Sequence, residues 1–441
     1  MIHGIQLLFF IFIFFVTTTE ASEINKLSES LEVSSQSAEK ECFAEVHGSL
    51  AYKGFLYANE IKNGNRTITN EFKAILEIKG GLSPWFRYYL TPSYRVDNAN
   101  LAKGVIKHFE DDSQNMNMVN INEARIEIAG EQYSLSIGKQ YYAWGEADGY
   151  NPSDNLCAKD FTDILDDEKI AVTSFTAKYI HSGYMFDVVV IPFFTPNRLP
   201  VRESRWFITD PSFSSIDIVR KLPSRSTKNS QVGIRLRKNF LGWDISLSYY
   251  NGIRHMPIPV LNSPKVLTLI FPKIQVLSGG FSNTFGHFEF HGEFAQTFTD
   301  SDEMEPYFQE VIGMNYSTSG ISSDHTIKFV IEHAREWITE SNPSNNKGNL
   351  SELNELFDIS HVFSNSILAK IEYDFSYFTK ILMKGVYNFD RDDYYFRISL
   401  YHDFSNALKG EIGFDFLNGA KKSVLSHFVW VITPPPLRGG D

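Results

Sequence analysis

The sequence predicts an all-β chain: a transmembrane antiparallel β-barrel of about 18 strands, with 16 as the alternative, since barrels of this kind close with an even number. Two observations predict it. Apolar and charged residues alternate with period two from residue 42 to near the C-terminus, and the gaps between the alternating stretches are short and long by turns.

The chain has 441 residues, 43% hydrophobic and 15% aromatic, with a formal net charge of -12. That length suits two or three soluble domains or one large closed sheet. After the N-terminus no run reaches the roughly 18 apolar residues of a membrane-spanning helix, so helical spans are not expected. The acidic balance argues against a nucleic-acid partner, because a phosphate backbone is bound by Lys and Arg clustered on one positive face.

Residues 1–21 are expected to be a signal peptide. Gly4 to Val16 is an apolar core of suitable length, and Thr19 and Ala21 have the small-residue spacing of a cleavage site, although only His3 supplies a basic group before the core. Residues 22–41, rich in Ser, Glu and Lys without an apolar period, read as a flexible linker. The barrel is expected to occupy 42–441.

The strands follow in order. Phe72, Ala74, Leu76 and Ile78 alternate with Lys73, Glu77 and Lys79; Ala124, Ile126 and Ile128 with Glu123, Arg125 and Glu127; Val232, Ile234 and Leu236 with Arg235 and Arg237. Further along, Phe288, Phe290 and Phe294 alternate with Glu289, His291 and Glu293; Ala369, Ile371, Tyr373 and Phe375 with Lys370, Glu372 and Asp374; Leu408, Ile412, Phe414 and Phe416 with Lys409, Glu411 and Asp415. A soluble sandwich would alternate too. Strand length and number favour the barrel, whose tilted strands need about 9 to 11 residues, apolar toward lipid and polar toward a wet lumen.

Connections supply an independent test, because outer-membrane barrels join strands by short periplasmic turns and long external loops. Long or polar gaps fall around 58–68, 97–119, 146–168, 197–227, 253–263, 300–306 and 338–357, with tight connections between them such as Ser83-Pro84, Gly130-Glu131, Ser182-Gly183, Leu241-Gly242 and Ser376-Tyr377. The stretch Lys265 to Gly286 is compatible with one long strand or two. With a periplasmic N-terminus, the fifth strand runs outward and the gap at 146–168 is the third external loop. Cys42 then lies at the periplasmic rim and Cys157 on the outer side, and both are expected to be free thiols.

The third loop carries Glu146, Asp148, Asp154, Asp160, Asp163, Asp166, Asp167 and Glu168, and Tyr142, Trp144 and Tyr150 near its start are placed to anchor it to the wall. A solvated surface loop has such a composition; so does a loop folded inward as a constriction that filters by size and charge. Calcium binding by the carboxylates is a third reading, although the spacing does not match an EF-hand. The next external connection has the opposite sign, with Arg198, Arg202, Arg205, Arg220 and Arg225, and Arg235 and Arg237 extend it into the following strand. Facing acidic and basic groups across a narrow passage would set up a transverse field that orients dipolar solutes. Arginines that bind surface phosphates or keep a loop soluble are the plainer alternative.

The run from Gly138 to Tyr250, with its GKQ, AWGEADGYNPSDN, VVVIPFFTPNRLP, ESRW and LSYYNG elements, resembles a poorly characterised group of porin-like outer-membrane barrel proteins of Gram-negative bacteria. The likeness covers about a quarter of the chain in motifs. It implies a barrel in the bacterial outer membrane, lipid around it and the insertion machinery as a partner; it implies no particular solute. The chain departs from such barrels at its end, VWVITPPPLRGGD, where a strand closed by an aromatic residue is usual.

No G-x-S-x-G, H-E-x-x-H or P-loop pattern is present, so no catalytic residues, no cofactor and no enzyme activity are expected. His287 and His291, four residues apart on a strand, are about 13 Å apart and do not share one ion unaided; no metal is expected. Two functional readings remain: a passive channel for small hydrophilic solutes, with the acidic third loop as constriction and the basic loop opposite, or a structural, assembly or export barrel with a plugged lumen and partner-binding loops.

Overall fold

The computed structural model describes residues 8–10, 42–57, 67–106, 111–165, 168–202, 204–207, 216–263, 265–319, 325–340 and 363–419. Its wall is built of seventeen long strands: β1 (Phe43–Leu56), β2 (Ile68–Ser83), β3 (Phe86–Asp97), β4 (Val119–Ala129), β5 (Tyr133–Gln140) and β6 (Val172–His181). There follow β7 (Tyr184–Ile191), β8 (Gln231–Phe240), β9 (Trp243–Ile253), β10 (Lys273–Phe285), β11 (Phe288–Thr299) and β12 (Tyr307–Ser319). The last are β13 (Thr326–Ile338), β14 (Asn365–Ser376), β15 (Thr379–Asn388), β16 (Asp393–Asp403) and β17 (Lys409–Asn418).

Each strand pairs antiparallel with the next in sequence, from β1–β2 through to β16–β17, which is the up-and-down order that alternating short and long gaps dictate. The three-residue segment Leu8–Phe10, in the expected leader, pairs antiparallel with β17 and brings the sheet to 18 strands. The uncertain stretch after Lys265 resolves into one wall strand, β10, preceded by Val266–Ile270. That short strand pairs with Ile258–Ser263 and Asp217–Lys221 in a small sheet of the external loops.

Period-two patterning sets the two faces. Leu76, Ile126, Phe186, Leu236, Leu247, Phe290, Phe294 and Leu400 are exposed on the outside, whereas Lys139, Asp187, Glu293, Glu332, Arg397 and Asp415 are buried on the inside. Strands paired antiparallel on both sides satisfy one another's backbone groups and can show such a face to lipid. The turns at one end are tight: Ser182-Gly183 and Leu241-Gly242 each have two successive positive φ angles, the two-residue hairpin turn whose twist matches the strands it joins.

The inner face departs from the expected polar lumen along one sector. Val172, Val189, Ile191, Tyr250, Ile274, Val276 and Ala295 point inward and are buried under Tyr142, Trp144, Leu156, Ile258 and Met304 of the external loops. The physical reason is visible in Val188-Val189-Val190-Ile191, a run apolar on both faces: one face meets the exterior and the other meets a loop.

Candidate functional site

The loop between β5 and β6 leaves the wall at Gln140, just after Gly138. Gly138 has φ +133, and a Cβ there would lie 2.1 Å from the carbonyl oxygen of Ala124 on β4, so the strand approaches its neighbour only because that side chain is missing. Tyr142 is buried; its hydroxyl bonds Ser174 Oγ at 2.7 Å and also Thr176. Its N–H donates to Cys157 Sγ at 3.2 Å. Trp144 is buried with the Arg235 guanidinium 4.8 Å over its ring.

The tip of the loop then crosses to strands far around the barrel. The backbone N–H groups of Glu146, Ala147 and Ser153, with the Ser153 hydroxyl, donate to Glu293 on β11. The N–H groups of Asp148 and Gly149 donate to Glu332 on β13, at 2.6 and 3.0 Å. Tyr150 accepts from Gln309 on β12 at 2.8 Å and stacks on Phe363 at 4.8 Å. Two buried carboxylates thus hold the loop by charge-assisted bonds to its main chain, whatever its side chains do.

The eight acidic positions of this loop separate into kinds. Glu146 and Asp148 form no ion pair with Lys or Arg among the described residues; burial pushes the Glu146 carboxyl above the usual range, with Ser246 and the charges of Arg235 and Arg237 pulling the other way. Asp148 accepts from Asn315 at 2.7 Å. Asp154 pairs with Lys169. Asp160 pairs with Arg198 at 2.5 Å and accepts from the Thr162 N–H, while Asp163 accepts from the Leu165 N–H at 3.0 Å. Glu168 bonds Lys73 of β2 at 2.6 Å and Arg95 of β3 at 2.8 Å; burial alone would raise its pKa, but those two cations hold it at about 2. Asp166 and Asp167 lie outside the described residues.

Of the basic set, Arg198 joins the two loops, bonding Asp160 and also Asp111 of the preceding loop. The other arginines meet different partners. Arg202 donates to the Ile216 carbonyl, Arg205 lies 3.3 Å over the Tyr57 ring, and Arg220 and Arg225 reach the carbonyl and carboxylate of Asp112. Arg235 and Arg237 on β8 converge on Asp187 of β7 at 2.8 and 3.5 Å. A cavity of about 210 Å³ opens between Phe55, Tyr57, Arg95, Asp163, Arg205 and Trp206.

Sequence reasoning did not select Glu293, Glu332, Lys73, Arg95 or Asp111, which fix the loop. Their only local mark is that all but Asp111 occupy inward positions of alternating strands, where a charge is ordinary. Both cysteines are free, Cys42 exposed and Cys157 buried.

Among known proteins, no family model matches the chain and no curated protein matches it. Solved structures do. The outer-membrane protein OmpT of Vibrio cholerae, in its trimer form, is 8% identical, covers 86% of this chain and 99% of its own, and superposes with a TM-score of 0.43. OmpF of Salmonella typhi in complex with daunomycin is 10% identical over 85% of this chain and 97% of its own, at 0.42. A mutant porin of Rh. blastica is 9% identical over 85% and 100%, at 0.40. In overall wall architecture the chain is similar to these porins. No residue correspondence follows at such identities, and the lumen has to be read from its own side chains.

Proposed function

We propose that the chain is an outer-membrane channel for the passive passage of small hydrophilic solutes, whose third external loop narrows the lumen and biases it toward cations. Lipid contacts the apolar exterior, and the insertion machinery of the outer membrane places the barrel there. One observation carries the reading: the loop is tied by its backbone to Glu293 and Glu332 on strands across the barrel, which leaves the Glu146 and Asp148 carboxylates without a Lys or Arg partner among the described residues. Charges in a confined passage are screened far less than charges on outer loops, where the screening length is about 8 Å at physiological salt. Purified protein in a planar bilayer should give discrete conductance steps and a reversal potential, under a salt gradient, on the cation side.

A second reading is favoured by a specific observation. The apolar cluster of Tyr142, Trp144, Leu156 and Ile258 on the inner wall is the kind of packing that fills a lumen, as in a structural or assembly barrel whose loops bind partners. A barrel that inserts and resists detergent but never conducts would decide for that reading.

A further inference from the structure

The strongest unassigned cluster lies where the loop tip meets the wall. One ligand atom each of Asp148, His291 and Glu332 lie within 4.8 Å of one another. His291 on β11 and Glu332 on β13 are both buried, and His291 Nε2 stands 2.9 Å from Glu332 Oε1. Gly313, on the intervening β12, makes the room: a Cβ there would fall 2.3 Å from His291 Nε2 and 2.7 Å from Glu332 Cγ.

Two further observations point to a missing cation. Asp148, Glu293 and Glu332 place three carboxylates around the loop tip, and among the described residues His291 is the one basic group paired with any of them. Second, Asn315, whose amide nitrogen holds Asp148 at 2.7 Å, has a buried side-chain oxygen with no hydrogen-bond partner among the described residues, a donor atom of the right kind beside the same carboxylate. Buried anionic groups are ordinarily paired or bound to metal.

We infer that Asp148, His291 and Glu332 bind a divalent first-row transition-metal ion that fastens the third external loop to the inner wall. The ligand set selects the class: imidazole with carboxylates suits zinc, manganese or iron, whereas calcium and magnesium take oxygen alone. Binding replaces the proton now shared between His291 and Glu332, which leaves to solvent, and the ion's charge offsets the two ligating carboxylates. The backbone bonds from Asp148 and Gly149 to Glu332 act as the outer shell that orients this ligand. The site stands whether or not the lumen conducts.

The test uses the purified full-length barrel in detergent, stripped with a chelator and titrated with zinc chloride by calorimetry, with bound metal measured after dialysis. One zinc per chain is expected, retained against excess calcium. Asp148→Asn and His291→Gln should each weaken binding by at least about 10-fold, while His287→Gln, in an exposed turn of the same hairpin, should leave it unchanged. Heat-modifiable migration on a denaturing gel checks that each variant is folded; should His291→Gln fail to fold, Asp148→Asn alone decides. No zinc retained by the wild type, equal affinity in folded Asp148→Asn, equal loss in His287→Gln, or displacement by calcium would each overturn the inference.

Discussion

Arg198 Nη1 lies 2.5 Å from Asp160 Oδ2, and both side chains are buried, so the basic and acidic external loops are joined by an ion pair inside the molecule. Arg198 also pairs with Asp111. Replacing Arg198 by Gln therefore takes the cation from the buried Asp160 and leaves Asp111 with Lys139 at 3.6 Å; breaking a buried pair in this way typically costs about 3 to 5 kcal/mol. The wall does not depend on this pair. Arg198→Gln should keep the heat-modifiable barrel while limited proteolysis cuts within 141–230 at protease levels that leave the wild type intact; unchanged protection would show that the pair does not hold the loops.

Charge selectivity should depend on which carboxylate is changed. In protein stripped of metal by a chelator, Glu146→Gln with Asp148→Asn removes the two acidic groups that lack an ion pair with Lys or Arg among the described residues, and should lower the cation to anion permeability ratio several-fold in reversal-potential measurements. Asp160→Asn removes a charge already offset by Arg198 and should move the ratio less. The triple change of Asp163, Asp166 and Asp167 to Asn tests the far limb of the loop, and Arg202 with Arg205 changed to Gln should move the ratio the opposite way if those groups border the passage. Identical reversal potentials throughout would assign selectivity to the strand charges.

Thiol chemistry should separate the cysteines. Burial pushes the Cys157 thiol up to about 12, against the N–H bond from Tyr142, so almost no thiolate exists at pH 8 and the sulfur is covered as well. Cys42 is exposed. A maleimide applied to the folded protein in detergent should label Cys42 alone, and denaturation should add a second label. Sequence alone puts Cys157 on the outer side and does not say whether its loop is open to the medium; burial in one cluster with Tyr142 and Trp144 closes it off.

Acid should loosen the return limb of the loop late. Glu168 has its pKa held near 2 by Arg95 and Lys73, below the unfolded value of about 4.3. A depressed carboxylate contributes stability that is present above the unfolded pKa and is lost as pH falls through the folded one. Protection of the 160–170 segment from proteolysis or hydrogen exchange should hold at pH 5 and fall between about pH 4 and pH 2. In Glu168→Gln that acid-dependent fall should be smaller and the protection at pH 7 already reduced; an identical pH profile would mean that other groups govern the segment.

The wall was legible because each strand announces itself within its own ten or so residues. Phe288, Phe290 and Phe294 against His291 and Glu293 define β11 and its two faces without reference to any other strand. Tyr142, Trp144 and Tyr150 are conspicuous in an acidic loop, and they meet Ser174, Arg235 and Gln309 of the wall. What could not be read was pairing. Glu168 looks like one more acidic loop residue until Lys73 and Arg95 stand beside it, and no local pattern names Asp112 as the partner of Arg225 or Asp187 as that of Arg235. Partner choice across a lumen is decided by strand order and shear, which no local pattern encodes.

The loop tip also imposes a sequence of events. Ser153 and Glu293 are 140 residues apart along the chain, and Asp148 and Glu332 are 184 apart. The carboxylates that seat the loop do not exist as a surface until β11, β12 and β13 have joined the growing sheet, so the loop is made early and docked late. Long-range closures of this kind are slow, because the chain entropy is lost before the contact is gained. A nascent barrel stalled before β11 would carry its third loop unmoored, with Trp144, Leu156 and the thiol of Cys157 deprived of the cover that Ala295 and Met304 give them in the finished molecule. The accessibility of that one sulfur is therefore a clock for assembly: it should react while the C-terminal half is still being laid down, and fall silent once the wall has passed the eleventh strand.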